Sequence, residues 1–257
     1  MNARSVFWLS VAVGIGVMIG VAVRSTGHET GVIAPIAGGS PEVRQEPLPR
    51  RIGPGPASGA PRVTPSVART GTGSFTTIDA GTPVRGEAGR LEKYRVAVEK
   101  GSGQDLAEFA QAVDRTLTDY RGWTAGGELR LQRVPDGESA DFTIYLATPV
   151  TSERMCATGG LRTEQFASCR LSGKVIINLA RWVGSVPNYK APVGVYRDYV
   201  INHEVGHELG YGHESCPGPG KPAPVMQQQT YGLSGCVANG WPYVDGKRYR
   251  GPTVLGG

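Results

Sequence analysis

The stretch His203-Glu204-Val205-Gly206-His207-Glu208-Leu209-Gly210-Tyr211-Gly212-His213 decides how this chain is read. It has the spacing HExxHxxGxxH and takes up three of the four histidines in 257 residues. At average residue usage, a five-point match of this kind arises by chance on the order of once in 10⁵ chains of this length. Residues i and i+4 share one face of a helix, so the spacing predicts that His203 and His207 aim two imidazoles at one metal ion. Glu204 adjoins the first of them, where a carboxylate reaches water on that metal. Gly210 can take the left-handed conformation that ends a helix. A turn there returns His213 as a third ligand and leaves a fourth position open. Structural zinc sites usually fill all four positions and lean on cysteine, and no cysteine falls inside this run. One zinc ion is therefore the expected cofactor. Glu204 is the expected general base, taking a proton from water and passing it to a leaving amine.

The run resembles that of the metzincin metallopeptidases, whose motif continues to a methionine-containing turn. Pro224-Val225-Met226-Gln227 follows His213 and is similar to that turn. The resemblance implies an α+β catalytic module: a mixed twisted sheet, an active-site helix and an irregular C-terminal part. It implies that His203, His207 and His213 bind zinc and that Met226 forms a hydrophobic floor beneath the metal without ligating it. It also implies hydrolysis of peptide bonds in a protein or peptide substrate. Glu214 follows the third histidine as in the astacin branch, but Gln228 stands where that branch has a tyrosine, and the chain departs from the branch there. Tyr231 is a candidate for lending a hydroxyl to the oxyanion, although a packed or surface tyrosine is the more ordinary reading. The whole chain is also similar to actinobacterial membrane-anchored or secreted proteins that carry this motif behind a membrane segment.

Outward from the motif, the chain divides in three. Residues 1–30 contain the uncharged run from Val6 to Val23, bracketed by Arg4 and Arg24. As a helix the run would be about 27 Å long, close to the thickness of a bilayer core. It reads as an N-terminal membrane anchor behind a cytoplasmic stub. A cleaved signal peptide is the competing reading, with Gly20-Val21-Ala22 as its site and a secreted product. Residues 31–73 hold eight prolines, eight glycines and few large apolar side chains. That composition reads as a disordered stalk, with a reach of roughly 130 Å at full extension. Residues 74–257 are expected to form the catalytic domain.

The net charge is +5, but its placement argues against nucleic acid. Seven Lys/Arg against three Asp/Glu precede residue 74, and twenty against nineteen follow it. The excess belongs to the anchor and stalk, where it suits anionic lipid or cell-wall polymers.

All four cysteines, Cys156, Cys169, Cys216 and Cys236, lie in the expected domain. Three pairings are open. The nearest-neighbour choice, Cys156–Cys169 and Cys216–Cys236, closes two local loops beside the active-site helix. An even cysteine count behind a membrane segment points to an oxidising, extracytoplasmic setting.

Alternation predicts strands over Leu91–Val98, Glu128–Val134 and Asp141–Ala147, and a hairpin whose arms, Ser168–Leu171 and Lys174–Leu179, flank Ser172-Gly173. Leu106, Phe109, Ala110, Val113 and Leu117 recur at helical spacing, and Val193–Leu209 reads as the active-site helix behind Pro192. By resemblance, the strand around Cys169 is the sheet edge that lines the cleft, with the loop Met155–Gln165 overhanging it. Glu208 reads as a solvated carboxylate. Glu214 reads as either a support for a ligand or an exposed group. Trp123, Trp182 and Trp241 read as core or cleft walls, and His28 has no specific role. The expected function is that of a membrane-tethered, extracytoplasmic zinc endopeptidase. The alternative is a non-catalytic zinc-containing binding or scaffold domain at the cell surface, against which Glu204 speaks.

Overall fold

The computed structural model describes residues 67–254. The expected anchor and nearly all of the expected stalk lie outside the described residues. Among those described, no helix is long and apolar enough to cross a membrane.

Nearly every segment with clear periodicity forms the expected element. The series runs β1 (Phe75–Thr77), β2 (Arg90–Glu99), α1 (Leu106–Thr118), β3 (Leu129–Arg133), β4 (Phe142–Ala147), α2 (Pro149–Ala157), β5 (Cys169–Leu171), β6 (Lys174–Asn178), α3 (Leu179–Gly184) and α4 (Val193–Glu208). A 3₁₀ turn, Trp123–Gly126, precedes β3, and a small two-stranded ribbon, Tyr243–Val244 with Lys247–Arg248, closes the described part. The architecture is α+β with a mixed sheet.

The main sheet has six strands in the order β1-β2-β4-β6-β5, with β3 also on β2. Strands β3, β2, β4 and β6 run parallel, while β1 and β5 are antiparallel to their neighbours. The ten-residue β2 shares one of its edges between two partners. Its first half pairs with β3 and its second half with β1.

Strand alternation sorts the side chains onto two faces. Tyr94, Val96, Val98, Phe142, Ile144, Leu146, Val175 and Ile177 join the buried residues of α1, α3 and α4 in the main core. On the opposite face Ala147, Cys169 and Ile176 pack with Cys156 of α2. Helix α1 starts where Asp105 accepts a hydrogen bond from the Glu108 amide at 2.8 Å, and its apolar stripe buries Phe109, Ala110, Val113 and Leu117. Helix α4 is different. Residues Tyr199–Gly206 are buried without a break, since the sheet packs on one side and the C-terminal segment on the other.

Three features depart from expectation. The ordered body begins ahead of residue 74: Val67 and Ala68 pack against the main core, and the Thr72 amide donates to the Lys100 carbonyl at 3.1 Å. Glu99 secures this segment. Its carboxylate accepts from the Gly73 amide (2.8 Å), the Thr151 hydroxyl (2.6 Å), and the amide (2.7 Å) and hydroxyl (2.8 Å) of Thr148. Second, the start of the expected overhanging loop, Met155–Ala157, is the last turn of α2, a helix with Pro149 in its first turn. Third, β1 and α3 form from segments too short to show a period.

Candidate metal centre

Helix α4 carries the first three residues of the site. His203 and Glu204 are buried, and His207 is partly buried one turn on. The helix stops as read: Gly210 has φ +93, and the amides of Gly210 and Tyr211 donate to the carbonyls of His207 (3.1 Å) and Gly206 (2.9 Å). The chain then turns back and delivers His213. Nε2 of His207 lies 3.2 Å from Nε2 of His203 and 3.1 Å from Nε2 of His213. The His207 ring stands nearly perpendicular to the other two, the three nitrogens gather within 4.8 Å of one another, and among the described residues no fourth histidine, cysteine or carboxylate joins them.

Two of the rings are held from behind. Nδ1 of His203 is 2.8 Å from the Val225 carbonyl, and Nδ1 of His207 is 2.8 Å from the Tyr211 carbonyl. A neutral imidazole that donates Nδ1–H to a carbonyl keeps a bare lone pair on Nε2. The Nε2 lone pairs then face one another and repel, unless a cation lies between them. Burial, reinforced by the neighbouring rings, pushes His203 down to about 3, and burial above all pushes His207 down to about 4. Burial lowers His213 as well. All three are therefore neutral at neutral pH, the form in which an imidazole can hold a metal. This donor set fits zinc: three imidazole nitrogens, two of them oriented by backbone carbonyls, with one side open.

The open side faces a cleft of about 550 Å³ that runs along β5 and is lined by Glu204, Arg170, Gln228 and Tyr231 as well as the histidines. Burial alone pushes the Glu204 carboxyl up to about 8 in the metal-free chain. Tyr231 stands 61% exposed at the cleft rim, so it is a surface tyrosine that also borders the site.

The turn Pro224–Gln227 lies beneath the histidines, closed by the Gln227 amide on the Pro224 carbonyl at 2.9 Å. Met226 is fully buried and packs against the α4 backbone: a β-carbon placed on Gly206 would sit 2.4 Å from its sulfur. Its carbonyl accepts from the Glu214 amide at 3.0 Å, which ties the turn to the segment after His213. Both disulfides join the nearest-neighbour partners, Cys156 with Cys169 and Cys216 with Cys236. The first fastens α2 to the cleft-edge strand, and the second closes the loop that carries the methionine turn.

A family model described as a protein of unknown function, DUF3152, matches residues 62–243. The chain belongs to the DUF3152 family. No curated protein and no solved structure matches it significantly. The family match covers the three histidines, Glu204, Met226 and all four cysteines, and it too begins ahead of residue 74.

Several neighbours of the site escape sequence reasoning. Glu208 is not a solvated carboxylate. It pairs with Arg170 on β5 and accepts from the Gly173 amide at 3.1 Å, so it pins α4 to the β5–β6 hairpin. Glu214 supports no histidine; it pairs with Arg248 at 3.0 Å and accepts from the Gly251 amide. Trp123 and Trp182 are core residues, whereas Trp241 is only partly buried, under the Arg121 guanidinium and 4.0 Å from it. Trp123 also stacks on Tyr211 at 4.5 Å and donates to the Asn202 carbonyl at 3.0 Å, bracing the helix from below. Gln229 is fully buried; it accepts from the Tyr189 hydroxyl (2.9 Å) and donates to the Asn239 carbonyl (2.7 Å), which sets the path of the segment after Met226. A glutamine two residues after a turn carries no sequence signal for such a role.

Proposed function

We propose that this chain is a zinc-dependent endopeptidase of the metzincin type. Its membrane segment would tether it, and its catalytic domain would work outside the cytoplasm on protein or peptide substrates. The observation that carries the reading is the convergence of His203, His207 and His213 on one point in an open cleft, with Glu204 buried beside them. The turn around Met226 beneath the rings and the two disulfides support it. The first agrees with the metzincin arrangement and the second with an oxidising compartment.

Zinc, when bound, supplies Lewis-acid polarisation of water and of the scissile carbonyl. The chain's own residues supply the rest. Glu204 accepts the proton of the attacking water and returns it to the leaving amine. Its pKa of about 8 belongs to the metal-free chain, and a cation beside a carboxylate favours the ionised form. A base is thus available at neutral pH. Among the described residues strand β5 is a sheet edge, paired only with β6. An extended peptide adds to such an edge through main-chain hydrogen bonds, which carries its backbone past the histidines.

The test is Glu204→Gln in the full-length, zinc-loaded chain, assayed on a diverse peptide library. The native protein should cleave, and the variant should bind zinc equally and cleave at least about 10²-fold more slowly. Equal cleavage by both would overturn the role of Glu204. No cleavage by the native chain, with zinc bound and the fold intact, would favour the scaffold reading.

A further inference from the structure

The loop 158–168, between α2 and β5, forms one wall of the cleft through Leu161, Arg162, Thr163, Ala167 and Ser168. The Cys156–Cys169 disulfide joins its two ends. Closing the base leaves the path of the interior open, and the path taken is a costly one. Glu164 and Gln165 have φ +54 and +57, the only adjacent pair of non-glycine residues in the left-handed region among the described residues. A β-carbon crowds the backbone there, so such a pair persists only where the surroundings impose it. No residue of the loop belongs to either apolar core. The strain therefore serves the cleft rather than the packing of the domain.

Glu153 imposes it. This residue stands on α2 and does not itself line the cleft. One of its carboxylate oxygens, Oε2, accepts from the Thr163 amide (3.0 Å), the Thr163 hydroxyl and the Gln165 amide (3.1 Å). These bonds bracket Glu164, and a charged acceptor makes them stronger than neutral ones. Gln165 is held twice more: its carbonyl accepts from Asn178 Nδ2 (3.0 Å), and its Oε1 accepts from Arg69 Nη2 (2.8 Å). The next residue passes the constraint to the other wall. Phe166 abuts Tyr231, with ring centroids 5.9 Å apart, and the Arg181 guanidinium lies over the Phe166 ring, 4.5 Å from its centroid. Tyr231 belongs to the lining segment that follows the methionine turn and is 61% exposed. A single carboxylate thus fixes one wall of the cleft and, through Phe166, a neighbour of the exposed ring on the other.

We infer that Glu153 is a positioning residue for peptide binding: by holding the loop 158–168 in its strained path, it sets the gap between that loop and Tyr231 in which an extended peptide lies along β5. The inference rests on the peptidase reading above for the nature of the ligand, but it concerns binding and stands without turnover. A loop already in place costs nothing to order when the peptide arrives. A loop that samples other paths lowers the apparent affinity by the fraction of time it spends in the right one.

The test uses the full-length, zinc-loaded chain. Peptide affinity is measured by fluorescence anisotropy on the Glu204→Gln protein, kcat and KM with Glu204 intact, and zinc affinity by competition with a chromophoric chelator. Glu153→Ala should weaken peptide binding and raise KM by about ten- to hundredfold, the range of a charge-assisted hydrogen bond. Its kcat and zinc affinity should stay near native. Adding Glu164→Gly should recover part of the loss, because glycine takes the left-handed conformation without crowding. Native peptide affinity in Glu153→Ala overturns the inference. So does a fall in kcat or zinc affinity as large as the rise in KM, the mark of a merely structural role. No recovery with Glu164→Gly overturns the part assigned to strain. If Glu153→Ala does not fold, Glu153→Gln decides: it keeps the shape without the charge and should show the same change at smaller size, and native affinity there overturns the inference. Binding that depends on Glu153 without cleavage of any peptide overturns the peptidase reading alone. A native chain that binds no peptide overturns both.

Discussion

Gly206 lies between two of the histidines on α4, where a helix would ordinarily prefer alanine. Gly206→Ala should gain about 1 kcal/mol from helix propensity alone. The structure predicts that packing reverses the sign. A β-carbon at this position would sit 2.4 Å from the Met226 sulfur and 2.7 Å from Cζ2 of Trp123. Met226 is 0% exposed and Trp123 4%, so neither has free space to enter. Methionine is pliable, but Trp123 is fixed by its bond to the Asn202 carbonyl and its stack on Tyr211. Overpacking of this kind costs about 1–3 kcal/mol, which leaves a net loss of about 1 kcal/mol. With a urea slope of about 2 kcal/mol/M, the unfolding midpoint should fall by about 0.5 M in the presence of chelator. A second effect travels through Trp123. Displacing it shifts Tyr211, whose carbonyl orients His207, and zinc affinity should fall about tenfold. The assay pairs urea unfolding of the metal-free chain with zinc competition against a chromophoric chelator. A midpoint equal to or above the native one, with native zinc affinity, would refute the claim that Met226 and Trp123 form a rigid floor.

Other outcomes follow from the same geometry. His213→Ala should lower zinc affinity by orders of magnitude while leaving the metal-free fold intact; undiminished zinc content in dialysed variant removes it from the ligand set. Glu99→Gln should cost about 1–3 kcal/mol, because an amide cannot accept from all the donors now turned toward the carboxylate; an unchanged unfolding midpoint would show that the Gly71–Gly73 segment is not held there. The pH dependence of the metal-free chain has two opposing limbs. His203 and His207 have folded pKa values near 3 and 4 against an ordinary 6.5, so the unfolded chain binds more protons below pH 6.5 and stability falls as pH drops. Glu204, raised to about 8 from 4.5, binds more protons in the folded chain, so stability falls as pH rises toward 8. Thermal melts in chelator should therefore peak near pH 6.5, and Glu204→Gln should flatten the alkaline limb; an alkaline limb unchanged in that variant would assign it to other groups.

The convergence of the three histidines was legible in the chain because its signals are local. Two histidines four residues apart share a helix face wherever that helix is placed, and a glycine after the last turn ends it. Alternation likewise marked β2, β3, β4 and the β5–β6 hairpin, since each strand is sorted by its own two faces. The weak-period segments were not legible: β1 has three residues and α3 six, too few for a pattern to declare itself. Tertiary structure alone decided the rest, because the deciding partners are distant along the chain. His203 is oriented by a carbonyl 22 residues away, Trp123 braces α4 across 79 residues, and Glu208 meets Arg170 across 38. Whether a charged side chain ends in solvent, as Glu208 was expected to, or against a partner depends on what the fold brings beside it. Arg181 is the opposite case: an ordinary arginine in the sequence, left by the fold with two buried donors that no described acceptor reaches.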